Sequence, residues 1–264
     1  MSEPLAQMTA EIEGSVRAAD KIFLFLDFDG ALAPVTPDYR DAEIGGAAAR
    51  TLRAFANQER TVTTILSGRE AGDLFGRIRV EGLIYAGNHG LEIFGRNMAF
   101  VERQAIARRE ELGRLCRELE ARMEFFPGAE VEFKGLTASV HYRRASSADL
   151  PLIGNAVRSV VEQHKGLFHI SHGREVFEIL PRAGWNKGRA ARLVRRKAGG
   201  GAGPLSIYAG DGVEGEEAFR VLPEAITIKV GERAETRARY GLRGPAEVHE
   251  FLQWLSERLP GTVQ

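Results

Sequence analysis

Asp27 and Asp29 stand two residues apart in KIFLFLDFDG, directly behind a run of bulky apolar side chains. In extended backbone, residues i and i+2 point to the same side. Both carboxylates can therefore reach one pocket where the chain meets solvent. Like charges so close repel, and one of them takes a proton unless a cation compensates. An oxygen donor set without thiolate or imidazole favours a hard divalent ion, Mg2+ before Ca2+. Ser67, Gly68 and Arg69, in TILSGRE, add a hydroxyl, backbone amides and a guanidinium at a helix start, which is how an anion is usually held. Lys187, in WNKG, opens another helix, where its charge opposes the dipole unless an anion is near. Asp211, in YAGDG, is a third acid behind an apolar run. Each has an ordinary explanation alone: Asp and Gly make turns, serine caps helices, and lysine faces solvent. Their recurrence at the ends of similar apolar runs is not bland, and it points to a shared site in which the Asp27–Asp29 pair shares a proton or binds a metal.

Such a site needs a frame that brings those ends together. The runs at 22–26, 61–66, 83–86, 205–209 and 225–230 read as buried strands, each ending in a polar or glycine turn. Helical stretches at 47–58, 70–78 and 246–259 alternate with them, which predicts a parallel sheet covered by helices. In open sheets of this kind, ligands bind at the carboxyl ends of the strands. The middle of the chain differs. Helical stretches at 105–123 and 148–164 alternate with strand candidates at 131–142, 167–172 and 175–180, which predicts an antiparallel sheet backed by two helices and inserted in the first domain. The boundaries read as a core of 1–104 and 181–264 around a cap of 105–180. Residues 198–203 form a low-complexity connection without the Gly-Lys-Ser/Thr ending of a phosphate-binding P-loop.

Composition narrows the class. The 264 residues are 44% hydrophobic and 27% charged, ordinary for a globular protein. Thirty-six basic residues balance thirty-six acidic ones, so no global field draws nucleic acid or an anionic membrane. Cys116 is the only cysteine, which excludes an intrachain disulfide and fits a reducing, cytoplasmic setting. The first twenty residues lack the apolar core of a secretory signal, and no apolar run approaches the roughly 20 residues of a membrane span. His169 and His172, three apart in a strand candidate, face opposite sides and make a poor metal pair.

The Asp-x-Asp-Gly, Ser, Lys and late Gly-Asp motifs together resemble the haloacid dehalogenase superfamily. DFDGALAPV, ILSGREAGDL, AGNHGLEI, VEFKGLTASVHYR, EVFEILPRAGWNKG and YAGDG followed by EEAF look, in order and spacing, like the trehalose-6-phosphate phosphatase family. That resemblance implies an α/β fold, a Rossmann-like parallel-sheet core with an inserted α+β cap domain. It implies hydrolysis of trehalose 6-phosphate with Asp27 as nucleophile, Asp29 as acid and base, and Ser67 and Lys187 holding phosphoryl oxygens. Mg2+ would lie on Asp27, Asp211 and Asp29, the last through its backbone carbonyl. Substrate binding would fall to Ser67, Gly68, Arg69, Asn88 and His89 in the core and to Glu132, Lys134, Arg143, Arg174 and Glu178 in the cap. His141 and His89 are expected to position their neighbours. A trehalose-6-phosphate synthase is the implied protein partner.

The chain departs from the family pattern in places. The late motif usually reads Gly-Asp-Asp-x-Thr-Asp-Glu, and here Gly212 and Gly215 replace two acids, leaving Glu214 or Glu216 to compensate. Ala31 replaces a usual Thr, Arg174 a usual Lys, and Val176 a frequent amide. Two other readings follow: a phosphatase for another glycosyl phosphate of the glucosylglycerol or mannosylglycerate type, or a weakly catalytic sugar-phosphate-binding partner of a glycosyltransferase.

Overall fold

The computed structural model describes residues 2–164, 166–199, 203–232 and 235–259, with the backbone alone at 3, 213 and 214. The centre of the connection read at 198–203 and the side chain of Glu214 therefore lie outside the described residues. Among the described residues no helix is long and apolar enough to cross a membrane. Contacts divide the chain into two compact units, residues 1–100 with 186–264, and residues 101–185.

The first unit is built on β1 (Lys21–Asp27), whose residues Ile22 to Leu26 are wholly buried. A strand covered on both faces needs apolar side chains at every position, which is why its sequence runs without alternation. Beside it lie β2 (Thr61–Leu66) and then β3 (Ile84–Gly87), and on the other side β10 (Pro204–Gly210), β11 (Ile226–Val230) and β12 (Tyr240–Leu242). All these neighbours pair in parallel. β4 (Glu92–Gly95) joins β3 antiparallel, and β5 (Met98–Val101) closes the edge, giving the order β12-β11-β10-β1-β2-β3-β4-β5. The connections leave β1 toward β2 on one side, whereas β10 adds on the other. The β1/β10 boundary is thus a switch point, where α/β sheets open a crevice at the carboxyl ends.

Helices α2 (Gly46–Ala56), α3 (Ala71–Ile78) and α9 (Pro245–Arg258) bury apolar residues at helical spacing, for example Ala48, Leu52 and Phe55 of α2. On the chain's return, α7 (Lys187–Lys197) and α8 (Gly212–Val221) pack together. The parallel sheet and its helices match the expected α/β class. Three elements were not anticipated. Helix α1 (Glu3–Ala18) buries Leu5, Met8, Ile12 and Val16 and packs on α9 and β12, but its narrow apolar stripe is interrupted by small residues. The hairpin of β4 and β5 turns on Arg96 and Asn97, both at positive φ, in place of the Asn-Gly that usually marks such a turn. Strand β12 is only three residues long.

The second unit holds a four-stranded antiparallel sheet, order β6-β7-β9-β8, from β6 (Glu130–Phe133), β7 (Ala138–His141), β8 (Phe168–Gly173) and β9 (Val176–Pro181). The strand-like stretch at 131–142 is thus a hairpin of two strands. The helix expected at 105–123 is two, α4 (Arg103–Ala107) and α5 (Arg109–Met123), because Arg108 at φ −100° and ψ 2° breaks the helical ladder. With α6 (Leu150–Gln163), α5 encloses a core of Leu112, Leu115, Leu119, Val140, Ile153, Val157 and Ile179. Cys116 belongs to this core, and burial pushes its thiol up to about 12, so it is not a nucleophile at neutral pH. Strand alternation puts Val140, Phe177 and Ile179 on the helix side, and Glu132, Ser139, His141 and Glu178 on the opposite, polar face.

Candidate active site

Asp27 ends β1 and is 1% exposed. Lys187 is the first residue of α7, is 7% exposed, and sets Nζ 3.3 Å from Asp27 Oδ1. The anion that makes a lysine tolerable at a helix start is therefore the Asp27 carboxylate. Asn186 caps the same helix by accepting from the Arg189 backbone N–H at 2.9 Å, which fixes where Lys187 begins. Tyr208 of β10 donates its hydroxyl to the same Oδ1 at 2.8 Å.

Two glycines let the carboxylates converge. A Cβ on Gly210 would fall 2.5 Å from Asp27 Oδ2, and one on Gly30 would fall 2.2 Å from Asp211 Oδ2. Asp27 thus lies against the loop that carries Asp211, and Asp211 against the loop that carries Asp29. Among the described residues no three acidic, imidazole or thiol side chains cluster as metal ligands. Asp29 explains why: its carboxylate turns to Ser67 Oγ at 3.1 Å and to Arg69, whose Nε and Nη2 approach Oδ1 at 3.1 and 2.7 Å. Two carboxylates drawn onto glycine backbone are hard oxygen donors that suit Mg2+. The residues present fit such an ion.

The Ser67–Arg69 turn is held from beneath by the Asn88–Gly90 turn. Asn88 N–H donates to the Arg69 carbonyl at 2.7 Å and His89 N–H to the Ser67 carbonyl at 2.9 Å. Asn88 and His89 adopt positive φ of 48° and 60°, and the His89 ring lies against Gly68. Glu92 accepts from the Asn88 side chain and from Ala71 N–H, both at 2.8 Å, tying that turn to the start of α3. Asn88 and His89 therefore support the serine turn. Arg69 also donates to the Tyr39 carbonyl at 2.6 Å and pairs with Asp73 at 3.4 Å. Its guanidinium is directed at Asp29 and its surroundings.

In the second unit, Lys134 is 5% exposed and donates to Glu178 at 2.9 Å, and Ser139 donates to the same oxygen at 2.9 Å. His141 meets Glu132 at 2.8 Å. Glu132, Lys134 and Glu178 thus share one polar sheet face, and the Lys134–Glu178 pair is partly buried, with the lysine itself covered, unlike an exposed strand-face ion pair. Arg143 bonds Glu175 at 2.6 Å, and Arg174 lies exposed on the turn between β8 and β9. His172 sets its ring edge-on to Phe177 at 5.2 Å on the helix side, opposite His169.

The sequence matches the trehalose-phosphatase family over residues 25–244. The chain belongs to the trehalose-phosphatase family. It is 33% identical over 270 residues to a trehalose 6-phosphate phosphatase of Zea mays, covering 94% of this chain and 74% of that one. It is 33% identical over 245 residues to a trehalose-phosphate phosphatase of Mycobacterium tuberculosis H37Rv, covering 89% of this chain and 61% of the relative. Among solved structures, the C-terminal domain of C. albicans trehalose-6-phosphate phosphatase superposes with a TM-score of 0.79 over 94% of this chain and 96% of that one, at 18% identity, a likeness of fold. Membership makes the chain a phosphoric monoester hydrolase.

Two positions separate this chain from its family's pattern. Gly212 has φ +64°, where an aspartate would be strained, whereas a Cβ on Gly215 would meet nothing closer than 3.5 Å. Glu216 accepts from the Thr236 hydroxyl and from Arg237 N–H, so it is committed to the turn before β12. Tyr208 carried no signal in the sequence, because an aromatic residue inside an apolar run reads as core.

Proposed function

We propose that this chain is a Mg2+-dependent phosphatase that hydrolyses trehalose 6-phosphate to trehalose and phosphate through an aspartyl-phosphate on Asp27. The observation that carries the reading is the buried Asp27–Lys187 contact at 3.3 Å, with Asp211 drawn onto Gly30 beside it. A carboxylate oxygen of Asp27 bonds to phosphorus as the bond from phosphorus to the sugar oxygen breaks, and the Asp29 carboxyl gives that oxygen its proton. Asp29 then takes a proton from the water whose oxygen bonds to phosphorus. The bond to Asp27 breaks, and its electron pair returns to the carboxylate. Ser67 and Lys187 hold the other phosphoryl oxygens, and Arg69 orients Asp29. When bound on Asp27, Asp211 and the Asp29 carbonyl, Mg2+ supplies positive charge that lets an anionic nucleophile approach an anionic ester. We assign hydroxyl recognition to Glu132, Lys134 and Glu178, and we retain Arg143 and Arg174 in that set. The names of the maize and mycobacterial relatives support trehalose 6-phosphate as substrate. A cytoplasmic setting and a trehalose-6-phosphate synthase as partner complete this reading.

The test is phosphate release from trehalose 6-phosphate and from a panel of glycosyl phosphates, with and without chelator. Release should need Mg2+, favour trehalose 6-phosphate, and vanish in Asp27→Asn. Preference for a glucosylglycerol- or mannosylglycerate-type phosphate would replace the substrate, and no turnover of any phosphosugar at saturating Mg2+ would remove the catalytic reading.

A further inference from the structure

Tyr208 is fully buried and pairs in register with Phe25, so its side chain stands on the same sheet face as Phe25 and Asp27. Its ring stacks on Phe25 at 6.2 Å and meets Phe219 edge-on at 5.7 Å. Gly210 makes room for that ring, since a Cβ there would lie 2.9 Å from a Tyr208 ring carbon. Every one of these ring contacts would be made equally well by phenylalanine. The hydroxyl is the additional atom, and burying a hydroxyl is unfavourable unless it is bonded. It is aimed at Asp27 Oδ1, at 2.8 Å.

Lys187 approaches that same oxygen at 3.3 Å, while Oδ2 lies against Gly210. A carboxylate turns easily about its last torsion, a broad two-fold well. Two donors on one oxygen and backbone against the other remove that freedom. We infer that Tyr208 is a positioning residue that holds the plane of the Asp27 carboxylate for bond formation to phosphorus. The inference rests on the reading of Asp27 as nucleophile.

The variant Tyr208→Phe removes one oxygen and keeps the ring. A hydrogen bond to a charged group contributes enough that its loss should lower kcat by about 10- to 100-fold, and KM should stay within about twofold because the substrate does not touch the phenol. Tyr85→Phe is the control. Tyr85 is also a buried phenol, 1% exposed, but its hydroxyl donates to the Val80 carbonyl at 2.6 Å. Its removal should lower the melting temperature and leave kcat unchanged. Both variants are assayed in the full chain with trehalose 6-phosphate, beside thermal melts. An unchanged kcat in Tyr208→Phe, a rise in KM alone, or an equal kcat loss in Tyr85→Phe would overturn the inference. Phosphate release by the wild-type chain is measured first, since its absence overturns the Asp27 reading, whereas an active wild type with an indifferent Tyr208→Phe overturns only the role of the hydroxyl. If Tyr208→Phe melts below the assay temperature, replacing the tyrosines with a fluorinated analogue keeps the hydroxyl and changes its donor strength, and an unchanged kcat there also overturns the inference.

Discussion

Gly210→Ala adds one methyl group at the point where β10 meets the Asp27 carboxylate. Its Cβ would lie 2.5 Å from Asp27 Oδ2, 2.9 Å from the Tyr208 ring and 3.0 Å from Asp27 Cγ. Ordinary contact begins near 3.4 Å, so the carboxylate or the strand must yield by about 0.9 Å, and a misplacement of about 1 Å in a reacting group is worth roughly 100-fold in rate. Asp27 cannot retreat freely, because Tyr208 and Lys187 hold its other oxygen. We therefore expect kcat to fall by about 100-fold, or about 2.7 kcal/mol of barrier at about 1.36 kcal/mol per tenfold. Overpacking should also lower stability, by about 1 to 3 kcal/mol. Steady-state phosphate release from trehalose 6-phosphate, with urea unfolding in parallel, measures both. An alanine variant with wild-type kcat and unchanged unfolding would show that Gly210 does not confine Asp27, and the geometry assigned to the nucleophile would be wrong.

Three more outcomes follow from named contacts. Lys187→Met leaves the buried Asp27 carboxylate without its lysine, which should lower stability by about 3 to 5 kcal/mol; urea unfolding checks this, and adding Asp27→Asn should recover much of the loss. Glu178→Gln removes the charge that Lys134 and Ser139 address, so KM for trehalose 6-phosphate should rise by about tenfold with little change in kcat; a selective loss of kcat would count against a binding role. His249, on α9, is half-buried, and burial holds its pKa below the ordinary 6.5 despite a hydrogen bond to the Leu32 backbone. The unfolded chain then binds the proton first, so stability should fall as pH drops through about 6.5 toward the lower folded value, and His249→Gln should flatten that slope in unfolding measured across pH.

Local chemistry made much of the protein legible before its coordinates. An unbroken apolar run such as Ile22 to Leu26 is buried whatever surrounds it, and an acid at its end needs solvent, a cation or a hydrogen-bond donor. The α/β class, the ends of the strands and the unusual lysine at a helix start could therefore be read from neighbouring residues alone. The partners of those residues could not. That Lys187 answers Asp27 depends on how α7 returns beside β1 after the whole second unit has intervened in the chain. That Arg69 grips Asp29, that Glu216 serves the turn at 236–237, and that a tyrosine indistinguishable from core reaches Asp27 are likewise products of packing. Hydrophobic pattern is a property of adjacent residues, fixed by solvent exposure along one strand or helix. The choice of which donor faces which carboxylate is made between residues far apart in the chain, by register and close approach, and only the folded structure decides it.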